Sequence, residues 1–149
     1  MISVLVPGAS ARPAAGYRAS DEQRVAVLIN AIRRQHQLTP LACSAALRDA
    51  AREHSADMLA RQYFEHGAPG EPFDRRVRRY LAASLIAEDI GWGTGRYGTP
   101  DGVVNLWMHS PSHRRIILLP GLRRLGLGVT QGTFQGNAQA SLVTADFAS

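Results

Sequence analysis

Asn105-Leu106-Trp107-Met108-His109-Ser110-Pro111-Ser112-His113-Arg114-Arg115-Ile116-Ile117-Leu118 places a helix, a break and a second helix end to end. Pro111 has no N–H, and it biases Ser110 away from helical geometry, so the first helix stops there. Ser112 is then a candidate cap for the second helix, which places His113 in its first turn. The run Ile116 to Leu119 follows as an apolar anchor. A His at a helix start, beside Trp107 and above that anchor, is one way to build the polar floor of a pocket.

Upstream of this segment the pattern is helical. Ser20-Asp21-Glu22-Gln23 has the form of a capping box. The helix it would open carries Val25, Leu28, Ile29 and Ile32 on one face and turns Arg24, Arg33 and Arg34 outward. Leu38-Thr39-Pro40 ends it. A second helix is expected from Ser44 to Tyr63, with Leu47, Ala51, His54, Met58 and Leu59 inward. A short helix over 72–81, after the Gly67–Gly70 loop, would bury Phe73, Val77, Tyr80 and Leu81 and leave Arg75, Arg76, Arg78 and Arg79 in solvent. Ile90 to Gly93 looks like a short strand, and Thr94 to Gly98 a glycine-rich loop. Thr99 or Asp101 would cap the helix through Val103, Val104 and Trp107. Downstream, Leu125–Thr130 and Ser141–Phe147 alternate as strands, joined by a hairpin loop over 132–139. Helices first and an antiparallel pair last give an α+β class, not a βαβ one.

The 149 residues fit one domain with a real core. Residues 1–19, rich in Ala, Pro and Gly, form an expected arm; 20–149 form the domain. Ala9-Ser10-Ala11 has the form of a signal-peptidase site, so the arm is either the remnant of an export signal or an ordinary N-terminal extension. No apolar run approaches the roughly 20 residues that would cross a membrane. The net charge is +5, and all 17 basic residues are Arg. Arg suits bidentate anion recognition, though a GC-rich genome accounts for the bias as well. The single cysteine, Cys43, excludes an intrachain disulfide and is expected to be a small buried hydrophobe.

Five short segments occur in an order that resembles the bacterial branch of the CAP superfamily, the cysteine-rich secretory, antigen 5 and pathogenesis-related proteins. They are Ala51-Arg52-Glu53-His54-Ser55-Ala56-Asp57-Met58, Tyr63-Phe64-Glu65-His66, Ala87-Glu88-Asp89-Ile90, Trp107 to His113, and Leu125-Gly126-Leu127-Gly128-Val129. The resemblance spans about Ser20 to Phe147. It implies a three-layer α-β-α sandwich with a small antiparallel sheet, an extracellular or cell-envelope setting, and a cleft of two His and two Glu. The motifs place His66, Glu88 and His113 in that cleft. Ser110, three residues after Trp107, stands where animal and plant members carry the second Glu. Ala87 and Asp89 stand where the family writes Gly and Asn, and a second acidic group beside Glu88 would raise a carboxylate pKa if both were buried.

Two imidazoles and one carboxylate suit Zn²⁺ or another divalent cation with an open fourth position. The expected site is therefore His66, Glu88 and His113 as metal ligands, with Ser110 and Trp107 lining the cleft. A hydrogen-bonded His–Glu–His network without metal is the alternative. The expected activity is binding of a cation with a small or lipid-like ligand alongside. A metal-assisted hydrolase of peptide or ester bonds, with Glu88 as general base, competes with it. A Ser–His–Glu hydrolase using Ser110 or Ser112 lacks a Gly-x-Ser-x-Gly elbow. A third class is a partner-binding module that uses the Arg-rich surface against an anionic face. His109 is expected at the rim, His54 in the core, and Trp92 and Trp107 in core or cleft wall. No aromatics interleave with the Arg run, which argues against nucleic acid. A monomer is expected.

Overall fold

Alternation along the last two strands decides how the layers stack. In the computed structural model, which describes residues 16–149, β3 (Arg124–Phe134) and β4 (Asn137–Ala148) form a long antiparallel ladder. Leu125, Leu127 and Val129 point to one face, into a core with Val25, Ile29, Val103, Trp107 and Ile117. Gly126 and Gly128 point to the other, against helix α2 (Ala45–Arg61). A Cβ at Gly126 would lie 2.1 Å from the backbone at Leu47 and Arg48, and one at Gly128 would lie 2.4 Å from Ala51. Only glycine lets helix and sheet approach this closely, and Ser55 uses the approach: its Oγ sits 2.8 Å from both Gly128 O and Thr144 Oγ1.

The opposite face is covered by α1 (Ala19–Gln35), α4 (Pro100–His109) and α5 (Pro111–Ile117). This is the expected α-β-α sandwich. The sheet order is β1-β3-β4-β2, with β1 at Ala42–Cys43 and β2 at Ile86–Gly93. β2 pairs antiparallel with β4 and has no strand on its other edge among the described residues. Short α3 (Phe73–Arg78) follows α2, and a 3-10 turn (Gly95–Gly98) precedes α4.

Several local expectations are corrected. The sheet is mixed, because β1 pairs parallel with β3 at Ala42↔Arg124 and Cys43↔Leu125. Cys43 is consequently exposed on a two-residue strand and is not a buried helical residue; two residues show no periodicity to read. The hairpin loop shrinks from the expected 132–139 to Gln135-Gly136, whose φ values of 47° and 80° are the two positive angles a tight hairpin turn needs. β2 begins at Ile86, so Glu88 and Asp89 lie within it. Its acidic pair masks the strand pattern. Tyr80 lies beyond the end of α3 and is exposed.

The start of α1 is fixed from outside the helix. Tyr17 bridges Thr130, and Arg18 N–H donates to Val129 O at 3.0 Å, so residues 17–19 already belong to the fold. Ser20 lies inside the helix, with Arg18 at the N-cap and no side-chain cap. The Ala9-Ser10-Ala11 site lies outside the described residues. Arg33, expected in solvent, is fully buried. Its guanidinium donates to Thr39 O at 3.0 Å, Ile117 O at 2.7 Å and Leu119 O at 3.2 Å. The last carbonyls of α5 have no intrahelical donors, and Arg33 supplies them from a neighbouring helix.

Candidate functional site

His66 lies in the loop after α2, whose last helical turn closes with Gln62 in the left-handed region (φ 58°). The loop is held from below by His54, which was expected only as a core residue. Its Nε2 bonds Glu65 O at 2.9 Å. Burial, then the charge of Arg76, pushes the His54 pKa down to about 4, so the ring is neutral and acts as a fixed strut. The sequence signal for this role is its position one turn beyond Ala50-Ala51, on the face of α2 that meets the sheet.

Glu88 is buried on β2, directly opposite Asp146 of β4, and both side chains point to the α2 face. Between them sits Arg76, only 3% exposed. This corrects its expected place on a solvated helix face. Arg76 Nη1 donates to Asp146 Oδ2 at 2.8 Å and to Ala50 O at 2.7 Å, and Nη2 donates to Glu88 Oε2. The reason is α3's short length: with six helical residues, Arg75 stays outside and Arg76 turns to the sheet. A run of Arg at sequence level hides which one turns in. Of the four, Arg78 and Arg79 also face carboxylates, at Asp74 (3.6 Å) and Glu53 (3.0 Å).

The second oxygen of Glu88, Oε1, lies 2.8 Å from His66 Nδ1. Both carboxylate oxygens are thus engaged. One guanidinium stands between two buried carboxylates. Burial and the Asp146 charge raise the Glu88 pKa, and Arg76 opposes them. His66 is half exposed, and burial followed by the Arg76 charge lowers its pKa. With Glu88 ionised, His66 donates from Nδ1–H. The neighbouring Asp89 does not share this site. It points to the opposite face, is fully buried, and neither of its carboxylate oxygens has a hydrogen-bond partner. Burial, then the Glu88 charge, pushes its pKa up to about 8.

His113 stands in the first turn of α5, and its Nδ1 lies 2.8 Å from Ser110 Oγ. Ser110, not Ser112, occupies the N-cap position, because Pro111 is already the first helical residue. Burial, then the charge of His66, lowers the His113 pKa. The two rings are therefore close enough to repel when charged, although α2 and α5 lie in different layers. α5 packs against β2, the strand that carries Glu88. Trp107 lies in the core on the α4 side, with Nε1–H donating to Ile90 O at 2.9 Å. It fixes α4 to β2, and so fixes the position of Ser110 three residues later. His109 is exposed at the rim and bonds back to Asn105 O at 2.8 Å.

The three-ligand metal set does not match this geometry. Among the described residues, no three His, Cys, Asp or Glu side chains are grouped to hold an ion. Glu88 stands behind His66, with one oxygen on His66 Nδ1 and the other on Arg76 Nη2. What the site does offer is two imidazoles with the same arrangement, Nδ1 bonded within the protein, by Glu88 and by Ser110. Ser110–His113 is a serine–imidazole pair, but no carboxylate orients the ring as a nucleophile's base requires.

Residues 27–147 match the profile of CAP, the cysteine-rich secretory protein family. YkwD of Bacillus subtilis (strain 168) is 36% identical over 112 residues, covering 74% of this chain and 42% of YkwD. YlbC of the same strain is 28% identical over 120 residues, covering 79% of this chain and 34% of YlbC. The chain therefore spans less than half the length of these curated relatives. An extracellular protein containing an SCP domain from Bacillus anthracis str. Ames superposes with a TM-score of 0.71 at 28% identity, over 87% of this chain and 40% of that one. An outer surface protein from Borrelia burgdorferi superposes with a TM-score of 0.74 over 91% of this chain and 99% of its own, and at 19% identity that likeness is one of fold. No helix among the described residues is long and apolar enough to cross a membrane. Fold and profile agree: this chain belongs to the CAP superfamily, as a bacterial-type domain of the cysteine-rich secretory protein family.

Proposed function

We propose that the domain works outside the cytoplasm as a binding module, and that its cleft takes a divalent cation on His66 and His113. The observation that carries this is the matched pair of imidazoles. Each has Nδ1 tied to a protein group, which leaves Nε2 as the nitrogen to ligate. A carboxylate behind a ligating imidazole fixes its tautomer and raises its basicity. Glu88 fills that place for His66, and Ser110 fills it more weakly for His113. Both rings have lowered pKa values, so both are neutral, and able to ligate, at neutral pH. Two ligands leave positions for water and for a small or lipid-like ligand alongside. A bound cation would supply Lewis acidity there. Glu88, engaged on both oxygens, acts as a positioning group, which favours binding over metal-assisted hydrolysis.

Calorimetric titration of the chain with Zn²⁺ tests the reading. One ion should bind near neutral pH, and His66→Ala and His113→Ala should each abolish binding. Glu88→Gln should weaken it about 10- to 100-fold. Protons should be released on binding, seen as a buffer-dependent heat, because cation on Nε2 favours the ionised Glu88. A wild-type chain that binds no Zn²⁺ removes the cation. Binding that survives both His substitutions moves the site elsewhere.

A further inference from the structure

Among the described residues, most arginines without a carboxylate partner gather at one end of the sandwich. Residues 23–48 and 102–145 contain no Asp or Glu. The fold brings these two stretches together. Arg33, in the last turn of α1, donates to Ile117 O and Leu119 O. Arg114 Nη2 of α5 lies 3.3 Å from Nε2 of His36, the residue that ends α1. Arg123, which leads into β3, stands close enough that its charge, after burial, lowers the Arg33 pKa. All Asp and Glu side chains lie within residues 16–149. All but Glu65 and Asp89 pair with an arginine. None of those arginines is Arg33, Arg34, Arg114, Arg115 or Arg123. Arg33 is the buried member of this group, and the other four are exposed.

Helix ends account for part of this cluster, since cations favour the negative ends of α1 and α5. They do not account for Arg123, which opens a strand, or for the absence of any acidic side chain among four exposed guanidiniums. Such a group repels itself unless an anion neutralises it. Guanidinium forks match phosphate bidentately. Residues 30–40 and 110–124 contain no Phe, Tyr or Trp on which a base could stack, which disfavours nucleic acid. The neighbouring apolar groups favour a bilayer instead. Val27 is 51% exposed and lies seven residues before Arg34, two turns along the same stripe of α1. Leu106 is 44% exposed on α4, which packs beside α1 in the same layer. Exposed apolar side chains next to Arg on one surface are what interfacial proteins present to an anionic leaflet. We propose that this corner of the domain docks on an anionic phospholipid bilayer, with Arg34, Arg114, Arg115 and Arg123 on the phosphates and Val27 and Leu106 entering the headgroup region.

Vesicle flotation of the full chain tests this, with EDTA present so that the His66–His113 cleft holds no metal. Vesicles of phosphatidylcholine mixed with phosphatidylglycerol should carry the chain, and vesicles of phosphatidylcholine alone should not. Binding should fall steeply from about 0.05 to 0.5 M salt as the charges are screened. Arg34→Gln, Arg115→Gln and Arg123→Gln should each weaken it about fivefold. Arg48→Gln and Arg61→Gln, on α2, lower the net charge equally and should change it less than about twofold, because each of those arginines already has a carboxylate. Val27→Ser should weaken it about three- to tenfold, the range for half-burying a valine. No binding to the anionic vesicles at low salt overturns the proposal. So does equal binding to both kinds of vesicle, or an equal loss in the α2 variants. Binding of soluble polyphosphate through Arg34 and Arg115 by a chain that ignores vesicles overturns it in favour of a free polyanion.

Discussion

Removing the guanidinium of Arg76 would strand two buried carboxylates, Glu88 and Asp146, on adjacent strands. Breaking such a buried charge set by deleting one partner typically costs about 3–5 kcal/mol. Arg76→Met should therefore lower stability by about that much in urea unfolding. The loss should be smaller at pH 5 than at pH 8, because protonating one carboxylate relieves the repulsion. A loss that is equal at both pH values would mean that Arg76 acts through packing alone. At this scale the sequence was legible in part. His66, Glu88 and His113 stand in segments that share a motif order, and the fold sets His66 on Glu88 and His113 at the start of α5, which packs on β2. Arg76 was not legible, since four Arg in five positions look alike until the sheet selects one.

The α5 helix is seven residues long and carries His113 at one end, so its other end must be held. Arg33 of α1 does this by donating to Ile117 O and Leu119 O. Leaving buried carbonyls without donors costs about 1–3 kcal/mol each. Arg33→Met, similar in length but without donors, should destabilise the domain by at least about 2 kcal/mol and speed amide exchange in α5 first. Exchange that rises evenly over the whole domain would argue against a local clamp. On the opposite layer, Gly128→Ala pushes a Cβ into the Ala51 backbone at 2.4 Å and has no side-chain end to displace. A loss of about 1–3 kcal/mol or more is expected by denaturant titration. A neutral Gly128→Ala would show that α2 can lift off the sheet without penalty. Element types were readable from periodicity; β1, with two residues, and the length of β2, with its acidic pair, were not.

For the whole molecule, pH acts through groups moved in opposite directions. His54, His66 and His113 are lowered in the fold, so they favour folding above their unfolded value near 6.5, and that contribution is lost as pH falls below it. Asp89 and Glu88 are raised, so their neutral forms favour the fold at low pH; for Asp89 that contribution is lost as pH climbs from the unfolded carboxylate range toward about 8. Between about pH 4 and 6.5 the two trends oppose each other. From pH 6.5 to 8 Asp89 still titrates, so stability should fall over that window. Asp89→Asn keeps the shape, removes the buried charge and should flatten the fall, with a gain in Tm of more than about 3 °C at pH 8. Thermal melts of both proteins at pH 6.5 and 8 decide it, and parallel losses in the two would assign the effect elsewhere.

Periodicity, the Pro111 break and the alternating strands determined the α+β class and the sandwich, because burial patterns are written locally in which residues are apolar and how they are spaced. Motif order determined the family. Only the tertiary structure decided what each polar group does there. Glu88 became a support behind His66, Ser110 became the partner of His113, Arg76 entered the interior and Arg33 became a clamp. Each of those roles depends on a partner brought in from a distant part of the chain. Electrostatics and hydrogen bonding act through space over a few ångströms, and sequence separation carries no record of that distance.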